Sequence, residues 1–584
     1  MKRCPTCNRV ETDETLKFCR VDGATLIDDT SLTDESSATR VLPGSRTGEQ
    51  AVHTTPPQAT TSALDAGARS KAQTGELKQG RSESKVNYVV GGIKQHKIAA
   101  VIVLAALVLG GVGVAAYMHA RNSEVAIDSI AVLPFVNQNR DADTEYLSDG
   151  LTESIINSLT QLPSLRVSPR SSVFQYKGKD IDPLKAARDL GVRAVLTGRM
   201  LQRGDNLLVS AELLDVRDNK QLWGEQYNRK VADALAVQQE ISREISERLR
   251  TKLSGEEQKQ LTKRDTTSAE AYQSYLRGRY YWNKRTAENL RKAMEQFQQA
   301  ADKDPNYALA YVGLSDCYGL LVEYAGAPAS ETISKSKAFA ERALQLDPSL
   351  AEAHTSLAWS YCFSWQWDEA EKEFKRALEL NPNYPTAHQW YSLMLRDEGR
   401  FDESMFEIKR AHELDPLSLI IGQNLAQDYL LIRGDVNAAA EEVRRVVDLD
   451  PNYPRGHEVL GWVYLKQGRN SEAIAELQKA VSSGKDRRTL SSLGYAYAIS
   501  GKRAEALSAL KEIEAKYERH EALGQDVAAV YAGLGDKDQV FAWLEKDFQG
   551  RVGTLSRIRW ELPFESLRSD PRYADLLRRM GLQP

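Results

Sequence analysis

The stretch AEAHTSLAWSYCFSWQWDEAEKEFKRALELNP, residues 351–382, decides the fold of most of this chain. It has helical character throughout and ends on a proline, and prolines that follow Asp or Asn recur at similar intervals. These are Pro305, Pro348, Pro382, Pro416 and Pro451, separated by 43, 34, 34 and 35 residues. A repeat of this length is one supersecondary unit that buries its apolar face only by stacking on its neighbours. The sequence therefore predicts an all-α solenoid in which each proline closes a helix.

Small residues recur at fixed positions when the closing proline is numbered 32. Position 8 holds Ala358 and Ser392, position 20 holds Ala370 and Ser404, and position 27 holds Ala377 and Ala411. Two helices that cross closely need small side chains there, because a larger one pushes them apart. The period and these residues resemble the tetratricopeptide repeat (TPR). The resemblance implies TPR repeats over 268–550, with a C-terminal helical cap over 551–584.

One interval is about nine residues longer than the others. We expect the extra residues at 322–333, VEYAGAPASETI, where they would lengthen a loop between two helices. Earlier in the chain, YQSYLRGRYYWNKR (272–285) mixes aromatic and basic residues as a nucleic-acid surface does. Helix packing at the start of the array explains this segment at least as well.

Residues 125–255 predict a small α+β domain that precedes the solenoid. A buried strand (130–135) and a helix (146–162) are followed by two longer strands joined by a turn at 203–205. The segments IAVLPFVNQNRDADTEYLSDG, GVRAVLTGRML and LLDVRDNKQLWGEQYNRK resemble the TolB amino-terminal-like domain, which is not known as a catalytic unit. Its polar residues Asp149, Glu153, Trp223 and Glu225 could form a site, but turn capping and sheet packing explain them better.

Residues 98–118 are uncharged and mostly apolar, long enough for one transmembrane helix. They follow residues 27–96, which have few aromatic residues and predict a disordered linker. The N-terminal flank carries five Lys or Arg residues and the C-terminal flank only Arg121. This excess predicts a single-pass protein of the inner (cytoplasmic) membrane, with a cytoplasmic N-terminus and extracytoplasmic C-terminal domains.

The first 26 residues contain CPTC and FCRVDG, which resemble the paired knuckles of a zinc ribbon. Thiolates two residues apart on a tight turn share a tetrahedral metal. The resemblance implies a structural zinc ion held by Cys4, Cys7, Cys19 and, where the fourth cysteine is missing, Asp22. A metal-free tail is the alternative.

The chain contains no catalytic signature in the right context, so we expect no enzymatic activity. Its net charge of -4 provides no overall field that would attract nucleic acid. Three histidines share position 4 of their repeats, namely His354, His388 and His457. Neighbouring helix axes lie about 8–10 Å apart, too far for shared zinc ligands, so we expect them to replace packing aromatics.

TPR solenoids bind partners on the concave surface, which is lined by the first helix of each repeat. The resemblance nominates partner-binding residues at positions 2, 5, 9 and 12: Glu352, Thr355, Trp359, Thr386, Gln389, Arg396, Arg455, Glu458 and Trp462. The sequence thus predicts a membrane-anchored, non-enzymatic scaffold of the bacterial envelope that binds proteins or peptides. The alternative is a signal-transducing protein in which an outside ligand changes what the cytoplasmic zinc ribbon binds. Neither the partner nor the oligomeric state follows from the sequence.

Overall fold

The computed structural model divides into two compact units, Met1–Leu109 and Gly110–Pro584. It describes residues 127–139, 141, 144–162, 165–249, 265–484 and 487–584, together with three two-residue strands near the N-terminus. In the first unit, β1 (Lys2–Arg3) pairs antiparallel with β2 (Val10–Glu11) and with β3 (Ile27–Asp28). The four predicted zinc ligands, the part of the predicted linker that follows β3 and the predicted span at 98–118 lie outside the described residues.

The second unit begins with a six-stranded mixed sheet. Its strands are β4 (Ser129–Val132), β5 (Val136–Asn137), β6 (Arg166–Val167), β7 (Ala194–Arg203), β8 (Asn206–Asp215) and β9 (Lys220–Lys230). The order is β6-β4-β7-β8-β9, with β5 beside β7; β4 runs parallel to both neighbours, whereas β7, β8 and β9 form an antiparallel meander. Gly204, with φ of 57°, occupies the predicted tight turn between β7 and β8.

Four helices accompany this sheet: α1 (Glu145–Thr160), α2 (Arg170–Phe174), α3 (Pro183–Asp189) and α4 (Ala234–Arg248). Helix α1 buries Leu147, Leu151, Ile155 and Leu159, the apolar stripe that helical spacing predicts. Pro183 starts α3, where a missing N–H costs nothing and Asp182 caps the helix. A small α/β region therefore precedes the repeats, as the sequence predicts.

The remaining helices form antiparallel hairpins. They are α5 (Ala269–Trp282), α6 (Ala287–Lys303), α7 (Ala308–Ala325), α8 (Ala329–Leu346), α9 (Ala351–Phe363), α10 (Trp367–Leu380), α11 (Pro385–Glu398), α12 (Phe401–Leu414), α13 (Leu419–Leu431), α14 (Val436–Leu449), α15 (Pro454–Lys466), α16 (Asn470–Gly484), α17 (Arg487–Ile499), α18 (Arg503–Glu518), α19 (Gly524–Leu534) and α20 (Lys537–Gln549). All six small residues at positions 8, 20 and 27 are at most 1% exposed, which the close helix crossing requires. The predicted TPR-like solenoid is confirmed.

The sequence predicts a longer loop in the interval between Pro305 and Pro348. The structure differs from this prediction. The extra residues of this interval extend α7 and α8 to 18 residues each, and only residues 326–328 connect them. Gly326 ends α7 in the left-handed conformation, with φ of 64°, and Pro328 is the N-cap of α8. This glycine and proline stop one helix and start the next, so the insertion adds a helical turn to each.

The C-terminal residues return to the inside of the solenoid. Two 3₁₀ segments (Gly553–Arg559 and Leu562–Leu567) precede α21 (Pro571–Arg579). A Cβ atom on Gly553 would lie 2.4 Å from the Cα atom of Phe363 in α9, so only glycine fits this contact. We call residues 553–567 the return segment, because it lies against α9, α11 and α15 as well as against the last hairpin, α19 and α20.

Candidate functional site

A cavity of about 1260 Å³ lies between the α/β region and the concave side of the solenoid. One wall comes from α1 and from residues 166–175, around α2. The other comes from the first helix of seven hairpins, α5, α7, α9, α11, α13, α15 and α17. The superhelical path of the repeats brings these first helices together around one space.

Six of the nine residues predicted from the TPR resemblance line this cavity: Glu352, Trp359, Thr386, Gln389, Arg396 and Arg455. Trp359 stacks on Trp390, with ring centroids 5.0 Å apart. Arg396 forms an ion pair with Asp428 at 2.7 Å, and its guanidinium lies 3.7 Å from the ring centroid of Trp560 in the return segment. The structure thus places these side chains around a common enclosed space.

The other three predicted residues are buried away from the cavity lining. Thr355 donates to the carbonyl of Ala351 within its own helix. Glu458 is fully buried and accepts a hydrogen bond from Ser492, and Trp462 donates to the same hydroxyl at 3.2 Å. The position rule fails for them because neighbouring helices and the return segment cover this part of the concave surface.

The cavity lining combines aromatic rings with charged groups. Twelve lining residues are Lys or Arg and eight are Asp or Glu, an excess of positive charge in a chain of net charge -4. Among the described residues, the buried donors Trp282 Nε1, Trp359 Nε1 and Gln427 Nε2 have no hydrogen-bond partner. Because an unmade buried hydrogen bond is costly, these donors suit a ligand that brings acceptor oxygens.

Glu323, in the extension of α7, holds the return segment in place. Its carboxylate lies 2.7 Å from Arg557 of the return segment and 3.7 Å from both Arg455 and Arg488. Burial alone would raise the pKa of Glu323, but the three guanidiniums outweigh it and hold the pKa well below its usual value. The sequence reading missed Glu323 because its three partners come from residues far away along the chain.

Glu153 joins the α/β region to the solenoid. Arg279 donates to it at 2.7 Å, Asn283 donates at 2.8 Å, and Arg170 lies 2.9 Å away. Burial would raise the pKa of this carboxyl, but Arg279 and Arg170 hold it below its ordinary value. The expectation of capping or sheet packing is therefore wrong for Glu153, and also for Asp149, which pairs with Lys177.

The three position-4 histidines share one set of contacts. In each, Nδ1 contacts a glutamate on the second helix and Nε2 contacts the carbonyl of the proline that closes the preceding repeat. For His457 these distances are 2.7 Å to Glu476 and 2.9 Å to Pro451. Tyr311 makes the same contact with Pro305 through its hydroxyl. The histidines therefore connect neighbouring helices, the structural role that we expect of them.

We expect Asp316→Asn to stabilise the protein more at pH 8 than at pH 5. Burial raises the pKa of Asp316 to about 6, an effect partly offset by Ser356 and by the charges of Arg279 and Arg285. Because this pKa exceeds the ordinary 3.8, the folded state binds the proton more tightly and its stability falls as the pH rises from about 4 to about 6.

Between pH 5 and pH 8, the free energy of unfolding of wild type should therefore fall by roughly 1–2 kcal/mol relative to that of the variant, which lacks the carboxyl. Urea denaturation at the two pH values measures this. Asp402→Asn is the control, since that side chain is 88% exposed. An equal effect of Asp316→Asn at both pH values would contradict the assignment.

Among the described residues, no helix combines the length and apolar character of a membrane span. Within the same residues, no group of three or more His, Cys, Asp or Glu side chains is arranged to hold a metal ion.

Comparisons with known proteins match three parts of the chain. The model of the second domain of HilA/YgeH-like transcriptional regulators matches residues 126–244, and tetratricopeptide-repeat models match residues 351–384 and 428–489. "Putative adenylate cyclase 3" of Rhizobium meliloti (strain 1021) is 34% identical over 245 residues, which cover 42% of each chain. The match thus spans about two fifths of that relative's length.

Among solved structures, PilF of Pseudomonas aeruginosa is 20% identical and covers 36% of this chain and 92% of its own, with a TM-score of 0.29. YrrB, described as a TPR protein with an unusual peptide-binding site, is 20% identical over 33% of this chain and 94% of its own, with a TM-score of 0.24. An IFIT1 mutant solved with m7Gppp-AAAA is 13% identical over 60% of this chain and 76% of its own, with a TM-score of 0.38. The repeat matches and the helical hairpins show that this chain contains tetratricopeptide repeats, with an α/β region in front of them.

Proposed function

We propose that this protein is a non-enzymatic scaffold that binds an extended segment of a partner protein in the cavity enclosed by the solenoid and the α/β region. The observation that carries the proposal is the lining, which combines aromatic rings with buried donors that lack a partner in the described residues. A peptide offers a carbonyl acceptor at every residue and side chains that pack on rings. The volume of about 1260 Å³ also exceeds the usual range of about 300–1,000 Å³ for small-molecule sites.

Site-specific photo-cross-linking tests this proposal in the full-length chain. In one variant a photoreactive phenylalanine analogue replaces Thr386, which lines the cavity. In the other it replaces Phe406, which is 61% exposed on α12. We expect a partner protein to be cross-linked from Thr386 and not from Phe406, through a single extended segment of the partner. Equal labelling from both positions, or labelling from Phe406 alone, would place the partner elsewhere.

Two further parts of the proposal rest on the sequence. Residues 98–118 would anchor the scaffold in the inner membrane, and Cys4, Cys7, Cys19 and Asp22 would hold one zinc ion that folds the N-terminal knuckle. Three cysteines within knuckle spacing favour zinc binding, and the apolar run with its basic N-terminal flank favours the anchor.

Signalling is the alternative function. The name of the Rhizobium meliloti relative points in that direction, although the matching residues make up only 42% of that protein. In this alternative, a ligand captured by the solenoid changes what the N-terminal knuckle binds. If a Cys4→Ser variant no longer cross-links the partner from Thr386, signalling would be favoured. The scaffold function predicts that this variant cross-links the partner as wild type does.

A further inference from the structure

Arg285, in the connection between α5 and α6, stands out among the basic residues of the cavity. Its guanidinium lies 3.6 Å from the ring centroid of Trp282. Its backbone has φ of 50°, a left-handed conformation that non-glycine residues rarely adopt. Such conformations persist only where the surrounding structure imposes them, and they cluster at functional sites.

Within the described part of the chain, Arg285 forms no ion pair and no side-chain hydrogen bond. Arg279, which lines the same cavity, is paired with Glu153. The carboxyl of Asp316 acts on Arg285 only through its electrostatic field, because its hydrogen bond comes from Ser356. Burial lowers the pKa of the Arg285 guanidinium below its usual value, and the charge of Asp316 offsets this only in part.

Two further groups beside Arg285 favour a negative charge. The indole Nε1 of Trp282 has no hydrogen-bond partner among the described residues, and Trp282 is only 5% exposed. Helix α6 begins two residues after Arg285, at Ala287, with Thr286 as its N-cap. Because a helix N-terminus carries a partial positive charge, it adds to the attraction of an anion at this point.

We propose that Arg285 and Trp282 form an anion site that binds a carboxylate of the partner segment, either an acidic side chain or a free C-terminus. The inference rests on the proposed function and adds to it the chemistry of the bound peptide. A guanidinium donates two parallel hydrogen bonds to a carboxylate, and its stacking on the indole fixes the plane of that fork.

A carboxylate fits the cavity better than the phosphates of a nucleic acid. The eight Asp or Glu residues of the lining offset most of the charge of its twelve Lys or Arg residues and would repel a chain of phosphates. Buried arginines of the lining are also already ion-paired. Arg455, Arg488 and Arg557 share the carboxylates of Glu323, Glu458 and Glu561. A site built on one arginine accommodates one or two negative charges rather than a polyanion.

Peptide selection with a double-mutant cycle tests the anion site. Random heptapeptides, displayed with free or blocked C-termini, are selected on the purified full-length protein and then synthesised with the selected carboxylate intact or replaced by its amide. We expect wild type to bind the amide peptide about tenfold more weakly than the carboxylate peptide, the effect of one charge-assisted hydrogen-bonded pair. The Arg285→Asn variant should bind the two peptides equally. Asn tolerates the left-handed conformation, so this variant should fold normally.

Arg291→Asn is the matched control, because Arg291 is an exposed arginine at the same cavity. It should retain the full tenfold preference, and Arg285→Lys should retain part of it, since lysine keeps the charge but not the fork. An equal loss in Arg291→Asn, or a carboxylate preference that survives in Arg285→Asn, would overturn the site.

The other outcomes separate this inference from the proposed function. Selected peptides without any carboxylate would overturn the anion site and leave the peptide-binding function standing. Tighter, Arg285-dependent binding of a uridine oligonucleotide or of inorganic phosphate would show that the ligand class is wrong. Failure of wild type to select any peptide would refute both proposals.

Discussion

Replacing Glu323 by Gln is expected to lower the free energy of unfolding by about 3–5 kcal/mol, the usual cost of removing one partner from a buried ion pair. Its carboxylate faces Arg455, Arg488 and Arg557, whose side chains are each only 10% exposed. Glutamine keeps the shape but removes the charge, so the three guanidiniums lose a carboxylate that they share beside Glu458 and Glu561. Urea denaturation followed by circular dichroism measures the loss.

Glu341→Gln provides the control for this variant. Glu341 lies on the adjacent helix α8, is 46% exposed and forms an i,i+4 pair with Lys337. Exposed pairs of this kind contribute at most about 0.5 kcal/mol, so this variant should unfold like wild type. If Glu323→Gln were equally mild, Glu323 would not hold the return segment to α7.

The repeats could be predicted from the sequence because their determinants are local. Ala377 and Ser404 occupy helix crossings that recur every 34 residues, and each is fully buried by its own hairpin and the next one. The α/β region follows from equally local signals, such as the turn at Gly204 and the apolar stripe of α1. In both cases, residues close in the chain are also close in space.

The closed shape of the candidate site could not be predicted in this way. Position rules placed Arg396 and Trp462 on an open concave surface, but the return segment covers that surface around Trp560. Glu323 was assigned to a loop because spacing reveals an insertion without showing whether it forms a helix. Contacts such as Arg557 with Glu323 join residues more than 230 positions apart, and no local pattern encodes such a pair.

Trp560→Ala is expected to destabilise the protein by about 3–5 kcal/mol and to release the return segment. Trp560 is 1% exposed, and its Nε1 donates to Asp397 at 2.7 Å. Removing the ring leaves a large void and exposes the face of the Arg396 guanidinium that lies on it. It also removes one of the two hydrogen bonds that the Asp397 carboxylate accepts, so that only the one from Ser556 remains among those described. Urea denaturation measures the loss, and hydrogen exchange shows whether residues 553–567 lose protection before the repeats do.

Phe406→Ala, in a side chain that is 61% exposed, is the control and should change the free energy of unfolding by less than about 0.5 kcal/mol. Early exchange confined to residues 553–567 would mean that the return segment opens as a unit while the hairpins stay folded. The concave faces of α11 and α15 would then become accessible, and cross-linking from Thr386 should reach partner segments that wild type excludes. Unchanged protection together with a loss below about 1 kcal/mol would contradict the docking of Trp560, because burying a ring of this size contributes several times more.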